Sequence, residues 1–174
     1  MRDDFLVFGR PPIEEPEIAE VVATLRSGWI GTGPRVARFE ANAVRREAIW
    51  TRYDEAFASL PVERPAPVEP HTVHGRHLYT VLVDPERTAK SRDRVLDELV
   101  RLRIGTGVHY TALHLHPYYR ETLGHRPGDF PNAERIGDRT LSLPLSPGLS
   151  DRDVEDVISA VWQVVTGRDE AGRR

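Results

Sequence analysis

Apolar positions recur along the chain in helical stripes and two short strand-like runs. Ile18, Val21, Val22 and Leu25 repeat at three- and four-residue spacing, which predicts a helix over about residues 16–26 with one apolar face. Pro16 suits its first turn, and Glu14, Glu15 and Glu17 sit at the positive end of its dipole. Ser27-Gly28 stops it. Ahead of it, Phe5-Leu6-Val7-Phe8 runs into Gly9-Arg10-Pro11-Pro12, so residues 1–12 read as extended or irregular. Gly31-Thr32-Gly33-Pro34 is a loop. Val36, Phe39 and Ala43 then open a second stripe, which continues through Ile49, Tyr53, Ala56, Phe57 and Leu60 until Pro61 ends it. Four prolines between 61 and 70 mark a surface connection.

The clearest strand is His77–Val83, rich in β-branched and aromatic residues. Asp84–Lys90 reads as a turn. Ser91 caps a helix from Arg92 to Arg103 whose apolar face is Val95, Leu96, Leu99, Val100 and Leu102. Gly107–Tyr110 begins a further strand. Asn132–Arg139 is a short helix, with Asp129 as a candidate cap, and Thr140–Leu143 a short strand. Ser150 caps the last helix, Asp151–Val165, with Val154, Val157, Ile158, Val161 and Val165 turned inward. Residues 166–174 are expected to be disordered. Alternation of strand and helix predicts a small α+β or α/β layer.

Composition narrows the function. The chain has 174 residues, enough for one domain with an appended arm. A net charge of −3 argues against a nucleic-acid partner. Without cysteine there is neither a disulfide framework nor a thiolate zinc site. No apolar run approaches membrane-spanning length, and Met-Arg-Asp-Asp does not open a signal peptide, so a cytoplasmic protein is expected.

Residues 104–119, Ile-Gly-Thr-Gly-Val-His-Tyr-Thr-Ala-Leu-His-Leu-His-Pro-Tyr-Tyr, carry the densest chemistry. Imidazole and phenol offer hydrogen bonds from rigid, partly apolar rings, which suits a wall that binds a hydroxyl-rich ligand. The plainer possibility is that these rings pack a strand–loop corner and find local partners. A metal site is a third possibility: His109, His114 and His116 form one cluster, His71, His74 and His77 another. Neither has a recognised ligand pattern. The glycine-rich stretch at 27–34 invites a phosphate-cradle reading, but it lacks the P-loop lysine and any strand leading in.

Four segments together resemble the sugar aminotransferases of the DegT/DnrJ/StrS type. They are 27–40 (Ser-Gly-Trp-Ile-Gly-Thr-Gly-Pro-Arg-Val-Ala-Arg-Phe-Glu), 104–119, 126–134 (Arg-Pro-Gly-Asp-Phe-Pro-Asn-Ala-Glu) and 141–150 (Leu-Ser-Leu-Pro-Leu-Ser-Pro-Gly-Leu-Ser). The resemblance implies a fold-type-I enzyme that uses pyridoxal phosphate (PLP) to aminate keto-sugars carried on a nucleotide. It implies an N-terminal arm and helix over 1–43, the small C-terminal αβ domain over 44–166, and a tail over 167–174. The large parallel-sheet domain that holds the cofactor in that family has no counterpart between them. By the same resemblance His109, Tyr110 and His114 are substrate contacts, and Trp29 and Thr32 lie in a loop that approaches the active site. The usual residue at His116 is glutamine, so that position receives no role.

PLP chemistry needs a buried lysine with a depressed pKa, and arginine cannot replace it. Of 24 basic residues the only lysine is Lys90, expected in an exposed polar turn. The chain is therefore expected to bind no PLP covalently and to have no catalytic residue of its own. It reads as a truncated remnant or as one piece of a split enzyme. The alternative is a non-catalytic module that pairs with itself or with a full-length aminotransferase.

Overall fold

A computed structural model describes residues 13–27 and 34–167. Its elements in chain order are α1 (Glu15–Ser27), α2 (Pro34–Ala56), β1 (Val62–Glu63), β2 (Tyr79–Val83), α3 (Pro85–Thr88), α4 (Arg92–Arg101), α5 (Pro117–Leu123), α6 (Pro131–Arg139), β3 (Thr140–Leu143) and α7 (Asp151–Thr166). The three strands form one antiparallel sheet in the order β1-β2-β3. Val62 faces Val83, and Thr80 faces Ser142. The expected layer of helices and strands is present, as an antiparallel sheet.

The core lies between this sheet and α2, α4 and α7. Tyr79, Val81, Val83, Leu141 and Leu143 point to one face of the sheet and are buried there. Ile49, Trp50, Tyr53 and Phe57 of α2 meet them, with the Tyr79 ring edge-on to Trp50 (5.1 Å) and Tyr53 (5.3 Å). Val95 and Leu99 of α4, and Val154, Val157, Ile158, Val161 and Val165 of α7, complete the cluster. Burial of such side chains contributes about 1.5–3 kcal/mol each. Tyr53 is buried throughout, and its hydroxyl donates to the Pro144 carbonyl at 2.9 Å. Burial pushes that phenol's pKa up, so it stays a neutral donor.

The expected caps form. Ser91 Oγ accepts the Arg94 N–H at the start of α4. Ser150 and Asp153 make a reciprocal capping box on α7, and Gly167 closes it at φ 69° in the left-handed region. Over 84–90 the chain forms the single turn of α3, capped by Asp84. The second predicted helix begins at Pro34 and ends at Ala56; Phe57 and Leu60 stay in the core beyond its end.

Two expectations need correction. The strand begun at Gly107 reduces to one bridge between Gly107 and Ser142. Beyond it the His109 carbonyl is taken by the Thr140 hydroxyl (3.3 Å), a side-chain bond that replaces the ladder. Lys90 is half-buried rather than exposed. Its Nζ donates to Glu98 Oε2 and to the Val164 carbonyl, both at 2.6 Å. The apolar face expected of α1 forms, but among the described residues nothing buries it: Val21 and Leu25 are 61% and 67% exposed. Residues 1–12 and the tail from 168 lie outside the described residues, as do the readings made for them.

Tyr53→Phe removes the donor and leaves the Pro144 carbonyl unpaired in the core. It should lower unfolding free energy by about 1–2 kcal/mol in urea titration, without changing the m-value. Wild-type stability would show that this bond holds nothing.

Candidate functional site

After α4 the chain passes through buried Ile104 and Gly105 into the bridge at Gly107. Gly107 N–H donates to the Ser142 carbonyl (3.1 Å), and Ser142 N–H donates back (2.8 Å). This places His109 over the sheet face opposite the apolar core. There His109 Nδ1 is hydrogen-bonded to Ser142 Oγ at 2.9 Å, and Ser142 Oγ to Thr80 Oγ1 at 3.0 Å. Two strands thus orient one imidazole through a relay of hydroxyls, leaving the ring a defined tilt. Tyr110 follows through a cis peptide bond. Its ring stands edge-on to His109 at 4.8 Å, and the residue is 73% exposed. The phenol has no hydrogen-bond partner among the described residues. His109 and Tyr110 therefore form one corner: an anchored imidazole beside an open hydroxyl.

His114 is placed differently. It sits on a single 3-10 turn, Leu113–Leu115, and is buried. Its Nε2 lies 2.9 Å from Glu134 Oε1, and the same oxygen accepts the Gly128 N–H at 2.7 Å. Phe130 packs edge-on to the His114 ring at 4.9 Å. Asp129 Oδ2 accepts the Arg126 N–H (2.9 Å) and meets His125 Nδ1 (3.3 Å). Asp129 therefore fixes the 126–129 turn and does not cap α6, whose N-cap is Phe130. The Gly128 N–H, then His114, hold the Glu134 carboxyl below the usual range. In Asp129 the Arg126 N–H has the same effect, with His125 adding to it. His114 is thus tied into a knot that closes the 113–134 excursion and does not share the corner of His109 and Tyr110.

The corner rests on α6. A Cβ on Gly137 would come within 2.8 Å of the Ala112 nitrogen and 3.1 Å of the Tyr110 carbonyl oxygen. Only glycine lets α6 lie this close to the 110–112 backbone. Sequence reasoning missed Ser142, Thr80, Glu134 and Gly137. Ser142 had a readable signal, a polar residue alternating with leucines in a strand next to the histidine-rich segment. Glu134 and Gly137 had none, because His114 lies 20 residues from Glu134, and Ala112 and Tyr110 lie 25 and 27 residues from Gly137.

The remaining candidates separate. Trp29 and Thr32 lie outside the described residues. His116 is exposed at the start of α5, and His71, His74 and His77 are exposed along the connection to β2. Among the described residues no group of three or more His, Asp or Glu side chains could hold a metal ion. A cleft of about 480 Å³ along α5 is lined by Arg120, Glu121, His125 and Arg126. A second, of about 530 Å³, lies between Trp50 and the proline connection. There Arg76 stacks 3.7 Å over Trp50 and is paired with Glu47. Neither cleft includes His109 or Tyr110.

PLP does not fit the residues present. The one lysine is held by Glu98 and Val164. The Lys90 hydrogen bond in turn keeps the Glu98 carboxyl below its ordinary range. An amine engaged by a carboxylate and a carbonyl is not the free nucleophile a Schiff base requires.

The comparisons say which family this small antiparallel α+β layer belongs to. The sequence model of the DegT/DnrJ/EryC1/StrS aminotransferase family matches residues 41–162, and the chain belongs to that family. It is 40% identical over 136 residues to the spore coat polysaccharide biosynthesis protein SpsC of Bacillus subtilis, covering 78% of this chain and 35% of that protein. The chain spans about a third of the length of the curated relatives it matches. The crystal structure of DesV from S. venezuelae, in complex with a ketimine intermediate, matches with TM-score 0.67 and 31% identity over 78% of this chain and 35% of that one. The PLP form of a putative sugar aminotransferase from Streptococcus pneumoniae matches with TM-score 0.68 and 29% identity, over 76% and 33% of the two chains.

Two outcomes follow. Gly137→Ala drives a methyl into backbone that cannot move aside, and should cost about 1–3 kcal/mol by urea titration while shifting the amide resonances of 109–112. A neutral effect would mean the contact is loose. Glu134, held below its ordinary value of 4.5, contributes stability above that pH and loses it as pH falls through the depressed value. Glu134→Gln should flatten the acid limb of a Tm-against-pH profile without abolishing it, because Asp129, Glu98 and Glu47 are depressed too. An unchanged acid limb would contradict the His114–Glu134 knot.

Proposed function

We propose that this chain supplies the substrate-side domain of a PLP-dependent aminotransferase acting on nucleotide-linked keto-sugars, and has no cofactor centre of its own. Residues 44–166 are the small domain and 1–43 the arm. The lysine-bearing α/β part has been lost from this polypeptide or is provided by another. The observation that carries this reading is the state of Lys90: the one lysine of the chain is an ion-paired strut. In a complete enzyme PLP supplies the electron sink for moving an amine. The residues here do something else. His109, oriented by Ser142 and Thr80, and Tyr110, with its open phenol, offer hydrogen bonds to a sugar hydroxyl or phosphate oxygen. Trp29 and Thr32 belong to the same pocket in this reading, and His114 keeps its shape. No described helix is long and apolar enough to cross a membrane, which agrees with work on a water-soluble substrate in the cytoplasm.

Reconstitution tests it. The purified chain is mixed with a separately expressed lysine-bearing α/β domain from a full-length relative such as SpsC, with an amino-acid donor and nucleotide keto-sugars. The chain alone should give no aminated sugar, and the mixture should give it. His109→Ala should then lower kcat/KM by about tenfold, the worth of one substrate hydrogen bond. Turnover that is indifferent to His109 and Tyr110 would remove them from the pocket.

A further inference from the structure

A neutral imidazole carries one ring proton, and the bond made by one nitrogen decides which nitrogen keeps it. For His109 that bond joins Nδ1 to Ser142 Oγ, at 2.9 Å. Ser142 is fully buried, and its hydroxyl meets this ring on one side and Thr80 Oγ1, at 3.0 Å, on the other. Thr80 Oγ1 has no other partner among the described residues. Each hydroxyl has a single hydrogen, so the row runs one way or the other. In the first direction Thr80 donates to Ser142, and Ser142 donates to Nδ1. Both hydroxyl hydrogens then have protein acceptors. In the second, Nδ1–H donates to Ser142 and Ser142 donates to Thr80, which leaves the Thr80 hydrogen over. An oxygen with a spare lone pair is a milder loose end than a donor without an acceptor, so the first direction is favoured.

We propose that Ser142 is a positioning residue that fixes His109 in one tautomer, with Nδ1 accepting and the proton on Nε2. Whatever Nε2 meets, substrate included, must then accept a hydrogen. The substrate group this imidazole selects is an acceptor oxygen, phosphoryl or keto, in preference to a hydroxyl hydrogen. That selection rests on the proposed aminotransferase role; the tautomer does not.

Heteronuclear NMR of the histidine side chains tests the tautomer on the full chain, measured where the ring is neutral. The His109 signals are assigned by their loss in His109→Ala. His109 should show a proton on Nε2 and a bare Nδ1. Ser142→Ala should turn this single species into a mixture of tautomers, while the amide resonances of the helical core stay in place. A wild-type His109 with its proton on Nδ1, or already a mixture, overturns the proposal whether or not the variant folds. So does a folded Ser142→Ala chain whose His109 is as uniform as the wild type's. UDP and a free keto-hexose, titrated separately, distinguish the two acceptors: the one that shifts the Nε2–H resonance supplies the oxygen, and a shift from neither overturns the selection. In the reconstituted enzyme Ser142→Ala should raise KM about tenfold with kcat little changed, and should add nothing to the loss in His109→Ala. Additive losses would show that Ser142 does not act through His109. An active enzyme indifferent to His109→Ala would sink the substrate role of the corner and leave the tautomer to be decided by the spectra.

Discussion

One side-chain amine ties together the helices that close this domain. Lys90 Nζ lies between the Glu98 carboxylate on α4 and the Val164 carbonyl in the last turn of α7. A cation there meets the negative end of the α7 dipole as well as a formal charge. The contact joins the loop before α4 to the end of α7, the two helices that cover the apolar face of the sheet with α2. The same contact keeps the amine occupied. The one lysine of the chain serves as a strut, and the proposed reading follows from that.

The sheet divides the molecule into a structural side and a presenting side. Tyr79, Val81, Val83, Leu141 and Leu143 face the helices and form the core. Thr80, Thr140 and Ser142 face the other way, and their hydroxyls hold His109 in place. Because β3 is buried on both faces, its polar residues must find partners, and the 107–110 segment provides them. The same requirement that stabilises the strand aims the imidazole. Tyr110 stays outside this network with a free hydroxyl at the corner. His114 is drawn inward by Glu134 and supports the corner's surroundings.

Much of this was legible in the residues, and the exceptions have a common cause. Local signals held where they depend on chain neighbours: Ser91 and Ser150 cap their helices, and the α7 stripe is buried as its spacing required. The stripe on α1 is equally regular, yet among the described residues nothing buries it, since periodicity shows that a face is apolar and not what meets it. The strand expected from Gly107 failed because Thr140's hydroxyl competes for the His109 carbonyl, a contact between residues 31 apart. Lys90 was misplaced for the same reason: its turn is polar, but Val164 lies 74 residues on. Of the site, the His109–Tyr110 corner was visible in the sequence. Its supports, Ser142, Thr80 and Gly137, became visible only with the fold.

The central claim is that the lone amine is structurally engaged and unavailable to PLP. The most direct measurement is intact mass after incubating the purified chain with PLP and reducing with borohydride, followed by peptide mapping. The account predicts an unmodified Lys90-containing peptide and no visible-range absorbance beyond that of free PLP. A phosphopyridoxyl group fixed stoichiometrically on Lys90, and absent from Lys90→Met, would contradict it.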